Sequence, residues 1–148
     1  MIITTNKKAL HNYNISKTFE AGLVLSGPEV KSAKAGQIDL KGSYVSVDEN
    51  LEAWLINSYI APYKPARTAQ KKYNPHSNRK LLLTQKELRF LVGKQNERST
   101  TLVPLEVFIK NRLLKIKIGV GTGKKKFDKR EDIKKRDFVR KKARSLRN

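Results

Sequence analysis

The sequence predicts a mostly β fold with helices inserted between the strands, followed by a strongly basic segment. Two observations carry the fold. Residues 18–25, 43–47, 52–60, 101–109 and 114–120 each alternate or run apolar at the strand period, and no strand, helix, strand repeat of the parallel kind links them. The third observation is charge: of the formal net charge of +20 over 148 residues, about +9 sits in residues 119–148, where thirteen Lys and Arg stand against four Asp and Glu.

Taken in order, residues 1–14 are polar and open basic, with Asn6, Lys7, Lys8 and His11 close together, and read as a frayed end. From residue 18 the pattern alternates. Phe19, Ala21, Leu23 and Leu25 fall on one side and Thr18, Glu20, Gly22 and Val24 on the other, a half-buried strand with Glu20 facing outward. In SGPEVKSAKAG, Pro28 suits a first helical turn, Glu29 complements the positive helix end and Gly36 supplies a left-handed stop, giving a helix of about two turns. Residues 43–47 and 52–60 form a hairpin around Asp48, Glu49 and Asn50. Tyr44 and Trp54 lie on it; either offers a stacking surface, but a Trp inside a strand reads first as core.

Residues 61–79 carry Pro62, Pro65 and Pro75 among polar residues and read as a long surface loop, whose His76 has no second ligand nearby. Leu81, Leu82 and Leu83 follow as a buried strand or an approach to a helix, and the pattern alone favours core for Leu82. Thr84 with Glu87 makes a capping box; Leu88, Leu91 and Val92 share a face, and Gly93 is the expected stop. Val103, Leu105, Val107 and Ile109 then line one side of a strand, Lys110, Asn111 and Arg112 turn the chain, and Leu114, Ile116, Ile118 and Val120 return. Lys115 and Lys117 are thereby placed on the opposite face, as phosphate contacts or as cations guarding a sheet edge.

A small oligonucleotide-binding-like β-barrel over residues 1–120 is the economical arrangement of these strands, because closure removes sheet edges. Residues 121–148 form the basic tail. GVGTGK matches neither phosphate-loop spacing and is expected to be a hinge into that tail. In the tail, Glu131 with Lys135, Asp132 with Arg136, and Asp137 with Lys141 are spaced for helical pairs, yet apolar residues are too few to hold a helix unaided. It is expected to be disordered when free, and on an anionic host composition leaves two readings equally open: folding on contact, or a solvated basic tail that adds affinity and nothing more.

A pI near 10.3 favours nucleic acid over acidic protein or membrane. No apolar run reaches membrane-spanning length and the opening residues lack a signal-peptide core, so a cytoplasmic location is expected. The absence of cysteine excludes disulfides, thiolate metal sites and a Cys nucleophile. Glu20, Glu29, Asp39, Glu87 and Glu106 are dispersed, and His11 and His76 have no triad spacing, so neither catalysis, metal nor cofactor is expected.

NKKALHNY, FEAGLVLSGPEVKSAKAG, GSYVSV, RKLLL and KIKIGVGTGKKKFDKREDIKKRDF, in this order, resemble the SmpB family of SsrA-binding proteins over residues 6–138. The resemblance implies a monomeric RNA-binding cofactor of trans-translation without enzymatic activity. It would bind the tRNA-like domain of transfer-messenger RNA and support its charging by alanyl-tRNA synthetase and its delivery with elongation factor Tu. The destination is a stalled ribosome, where the tail enters the vacant mRNA channel near the small-subunit decoding centre and becomes helical.

On the same basis Asn6, Glu20, Leu82 and Lys115 match positions that touch the RNA, with Lys7, Lys8, His11 and Lys117 beside them. Glu20 would accept hydrogen bonds from a base edge, Leu82 would contact an unstacked base and Lys115 a phosphate. Gly123, Lys124, Lys125, Asp128, Lys129, Arg130, Lys134, Arg136 and Phe138 match the ribosome-engaging tail. Thr122, where the family usually has Lys, and Phe138, where it often has Trp, depart from the pattern. A constitutive basic ribosomal protein, a general binder of structured RNA, and an RNA-processing enzyme are the alternative classes.

Overall fold

Three strands of eleven residues, one near the start of the chain and two at the end of its described part, organise the sheet. A computed structural model describes residues 1–63 and 72–124. In it β8 (Thr100–Lys110) and β9 (Leu113–Gly123) form a long antiparallel hairpin. Its turn residues Asn111 and Arg112 sit at φ 52° and 66°, the left-handed pair that a two-residue turn needs to match strand twist. Before them come β1 (Ile2–Thr5), α1 (Lys7–Asn12), β2 (Tyr13–Leu23), α2 (Gly27–Lys34) and β3 (Ile38–Asp39). Between these and the hairpin lie β4 (Tyr44–Val47), β5 (Ala53–Ile56), β6 (Tyr59–Ile60), β7 (Arg79–Leu82) and α3 (Gln85–Gln95).

The pairings lead from β8 through β4, β5, β7, β2 and β9 and return to β8, while β1 adds to β8 and β3 pairs with β6. All neighbours are antiparallel. The core is enclosed by the alternating positions anticipated from the pattern: Ala21 and Leu23 of β2, Val45 and Val47 of β4, and Leu114, Ile116, Ile118 and Val120 of β9 are buried.

Both predicted helices form from local signals. Ser26 and Glu29 make a reciprocal capping box at α2, and Thr84 and Glu87 make another at α3. Leu88 and Leu91 of α3 are buried, and the Gln95 side chain bonds both the N–H and the C=O of Val47, at 3.0 and 2.8 Å, which ties the helix end to β4.

Several expectations are corrected. Residues 1–14 are not a frayed end but β1 and α1, held by tertiary bonds such as Asn6 N–H to Leu105 O at 2.7 Å. Gly93 lies inside α3, which runs to Gln95. In β8 a register shift between Pro104 and Glu106 breaks the alternation, so Leu102 and Val107 join the main core while Val103 and Leu105 pack in a second cluster with Ala9. The glycines read as a hinge are strand, because β9 pairs through Gly123 with both Tyr13 and, one residue earlier, Thr100.

The segment read as a surface loop contributes a buried network. Arg79 donates to Glu29 at 2.9 Å, to the Ser58 carbonyl at 3.0 Å and to the Tyr73 hydroxyl at 3.0 Å, while Tyr73 donates to the Ile60 carbonyl at 2.9 Å. Burial alone would raise the Glu29 carboxyl, but the Ser26 backbone N–H and the Arg79 guanidinium outweigh it and hold the group below its usual value. Burial, with the Glu29 carboxylate beside it, pushes the Tyr73 hydroxyl up. Lys125, Asp128, Lys129, Arg130, Lys134, Arg136 and Phe138 lie outside the described residues, as does the expected tail helix.

Candidate nucleic-acid interface

Strand pleating sorts the predicted site residues. With Leu114, Ile116, Ile118 and Val120 in the core, Lys115, Lys117, Gly119 and Gly121 share the outer face of β9. Register then places Gly22 of β2 opposite Lys115, and the same Gly22 opposite Leu82 of β7. Leu82, Gly22 and Lys115 therefore form one row across three strands, with Leu82 and Lys115 about 10 Å apart at two strand spacings. Glu20 stands one step along β2, opposite Lys117.

Leu82 is not core: its side of β7 faces outward and it is 56% exposed. The run of three leucines concealed this, since it has no alternation to read. Glu20 accepts from Lys110 at 3.2 Å, and Lys117 pairs with Glu106 at 3.4 Å. Both pairs are open to solvent, so they orient side chains more than they stabilise the fold. Lys115 forms no ion pair among the described residues.

The other end of this sheet face is covered by Tyr13 and Ile15 of β2 and Leu105 of β8, against which Ala9 of α1 packs. A Cβ on Gly119 would stand 2.9 Å from Leu105 Cδ1 and 3.0 Å from Ile15 Cγ2, and one on Gly121 would stand 3.0 Å from Tyr13 Cβ. The two glycines thus leave room for the cluster of Ala9, Val103 and Leu105 to close over the strand. Asn6 is the key to this corner. It is 5% exposed; its amide donates to Pro104 O at 2.9 Å and Leu40 O at 3.3 Å, and its oxygen caps α1 by accepting from Ala9 N–H. Both N–H donors of Asn6 are thus used inside the protein, while its oxygen keeps one acceptor site beyond the Ala9 bond. It sets α1, on which Lys7 and Lys8 are exposed and His11 is half-buried.

The row lines one concavity, and a second opens elsewhere on the surface. One, of ≈ 390 Å³, is bounded by Val24, Leu82 and Leu113 with Lys34, Arg112 and Lys115. The other, of ≈ 290 Å³, lies between α1 and β4 and includes Asn6, Lys8 and the exposed Tyr44. Trp54 is half-buried and donates its indole N–H to Asp48 at 2.9 Å, a bond that holds the Asp48 carboxyl below its usual value.

Sequence reading did not single out Leu113, Arg112 or Lys34. Val24 had been placed outward by alternation, which was the available signal. Gly123 ends β9 and Lys124 follows it, donating its backbone N–H to Asn12 O at 2.9 Å. Among the described residues no cluster of three or more His, Cys, Asp or Glu could hold a metal ion, and no helix is long and apolar enough to cross a membrane.

The sequence matches the model of the SmpB protein family over residues 3–148. It is 49% identical over 139 residues to the SsrA-binding protein of Persephonella marina, covering 94% of this chain and 90% of that one. It is 46% identical over 146 residues to the SsrA-binding protein of Anoxybacillus flavithermus, covering 99% and 93%. A solved chain described as "tmRNA-SmpB: a journey to the center of the bacterial ribosome" is 42% identical, with a TM-score of 0.68 over 83% of this chain and 85% of that one.

Proposed function

Since this chain belongs to the SmpB family, we propose that it is a non-enzymatic RNA-binding cofactor of trans-translation. It binds the tRNA-like domain of transfer-messenger RNA and carries that RNA to stalled ribosomes. Its body acts as a closed oligonucleotide-binding-type barrel in the cytoplasm, as a monomer. Its basic tail, with Lys125, Asp128, Lys129, Arg130, Lys134, Arg136 and Phe138, enters the vacant mRNA channel near the decoding centre and becomes helical there. Alanyl-tRNA synthetase and elongation factor Tu meet it through the RNA.

The observation that supports this most is the row of Leu82, Gly22 and Lys115 with Glu20 one step away. An exposed aliphatic side chain, a cation without an ion pair among the described residues and a carboxylate on one sheet face offer an unstacked base, a phosphate and a base-edge donor a partner each. The net charge of +20 supplies the long-range attraction that an RNA partner rewards.

Truncation tests the division of labour. The cut belongs after Lys124, because an earlier one would remove paired residues of β9. The shortened protein is expected to bind the tRNA-like domain as the full chain does and to fail in rescuing stalled ribosomes. Normal rescue by it would remove the tail from the mechanism, and failure of the full chain to bind that domain would remove the RNA reading itself.

A further inference from the structure

We infer that the two-stranded sheet of β3 and β6, with residues 72–78 beside it, is a site for one unpaired guanine of an RNA strand, separate from the row of Leu82, Gly22 and Lys115. The inference rests on the RNA-binding reading above and adds a second contact, one that reads base identity.

β3 and β6 stand outside the circuit of strands that encloses the core. Register pairs Ile38 with Ile60 and Asp39 with Tyr59, so pleating sends the two isoleucines inward and the Asp39 and Tyr59 side chains outward together. Burial agrees. Ile38 and Ile60 are buried, Asp39 is exposed and Tyr59 is 37% exposed. Directly opposed residues hold their Cβ atoms about 5 Å apart, so the carboxylate and the phenol ring are neighbours. The exposed His76 ring leans on Tyr59, with centroids 5.2 Å apart and planes tilted by 54°.

The buried network around Arg79 holds this small face still. Arg79 donates to the carbonyl and the hydroxyl of Ser58, at 3.0 and 3.1 Å, on one side of Tyr59. On the other side the Ile60 carbonyl accepts from the Tyr73 hydroxyl at 2.9 Å, and the Ile60 N–H donates to Pro75 O at 3.0 Å. The His76 N–H donates to Asn74 Oδ1 at 2.9 Å, and Asp39 Oδ1 accepts from the Lys41 N–H at 2.9 Å. The three groups are thereby ordered before any ligand arrives, which lowers the entropic cost of binding one.

Their chemistry selects the ligand. An exposed aromatic pair offers a flat apolar face to a planar ring. Asp39 forms no ion pair among the described residues, and beyond the Lys41 bond its carboxylate keeps acceptor positions on both oxygens. A carboxylate at the edge of a stacked ring favours two adjacent N–H donors, and guanine alone among the four RNA bases presents them, N1–H and N2–H, on its Watson–Crick edge. Adenine and cytosine set an acceptor nitrogen beside the amino group, and the one N–H of uracil lies between two carbonyls. Each would turn a lone pair toward Asp39. Lys41, exposed and without an ion pair among the described residues, stands two residues from Asp39 to meet a phosphate. Asp39, Tyr59 and His76 bound neither concavity described above, so the face is open, as suits a base carried on a strand more than a free nucleotide.

The test is equilibrium binding of the full chain, at fixed salt, to the RNA pentamers UUGUU and UUAUU and to the same pentamer with inosine at its centre. Wild type should prefer guanine over adenine about tenfold, the scale of one bidentate base contact, with inosine, which lacks the N2 amino group, in between. Asp39→Asn keeps an oxygen for the Lys41 N–H, so the melting temperature should hold. It should lose the preference by weakening UUGUU, while UUAUU binds as well or better because a negative charge is gone. A merely structural role for Asp39 would move all pentamers alike. His76→Ala should weaken all three by a similar factor, since stacking tolerates any base.

Two further arms assign the RNA. A guanosine-to-inosine change at one unpaired position of a tRNA-like-domain transcript that costs wild type but not Asp39→Asn places the guanine in transfer-messenger RNA. Weaker binding of Asp39→Asn to purified ribosomes, with no such position, places it in ribosomal RNA. Equal binding of UUGUU and UUAUU by wild type, a guanine preference that survives in Asp39→Asn, or no effect in either arm would overturn the site and leave the RNA reading standing. Failure of wild type to bind the transcript or any pentamer would overturn the RNA reading and the site together.

Discussion

Arg79 and Glu29 lie fifty residues apart in sequence, yet their side chains meet at 2.9 Å in a buried pair that joins β7 to α2. Removing one partner leaves a charge without compensation, so Arg79→Ala should destabilise the protein by about 3–5 kcal/mol in urea unfolding. Replacing both by apolar residues should cost much less.

The same pair sets an acid limit. Glu29 is held below its ordinary 4.5, so its contribution to stability is complete above that pH and is lost as pH falls through the lower folded value. The melting temperature should drop on acidification below about 4.5, and the drop should be smaller in Glu29→Gln.

Trp54, the single tryptophan, reports on Asp48 through the 2.9 Å indole bond. Its emission, followed while the far-ultraviolet circular dichroism stays native, should change with a midpoint below the ordinary 3.8 of an aspartate. Asp48→Asn should abolish that transition.

Gly119→Ala places a methyl 2.9 Å from Leu105 Cδ1 and 3.0 Å from Ile15 Cγ2. Overpacking of this kind costs about 1–3 kcal/mol, and it should appear as lost hydrogen-exchange protection in α1 before the rest of the sheet. Unchanged α1 protection would show that the cluster relaxes around the methyl.

Glu20→Gln should weaken binding of the tRNA-like domain with little change in salt slope, whereas Lys115→Ala should lower the slope by about one. Equal slopes in the two variants and wild type would remove Lys115 from the phosphate contacts.

What the sequence disclosed was local. Glu20 was legible as outward because residues 18–25 alternate, and α3 was legible because Thr84 and Glu87 are three residues apart. Leu82 was not, because a leucine triplet has no period. Arg79 read as loop because its partner lies fifty residues upstream. Asn6 was selected by resemblance, and its bonds to Leu40 and Pro104, being tertiary, left no local signal. Gly119 and Gly121 were read for their freedom, although their value is the absence of a side chain beneath Tyr13, Ile15 and Leu105.

β9 hydrogen-bonds along its length to β2, with Tyr13 opposite Gly123 at one end and Gly22 opposite Lys115 at the other. Pairing between such distant stretches is slow, and here the later stretch is the last strand described. During synthesis β2 must wait with that edge bare until residues 113–123 emerge. Closure of this body therefore waits on the emergence of residues 113–123, and the nascent chain is open to misassociation or chaperone capture until then.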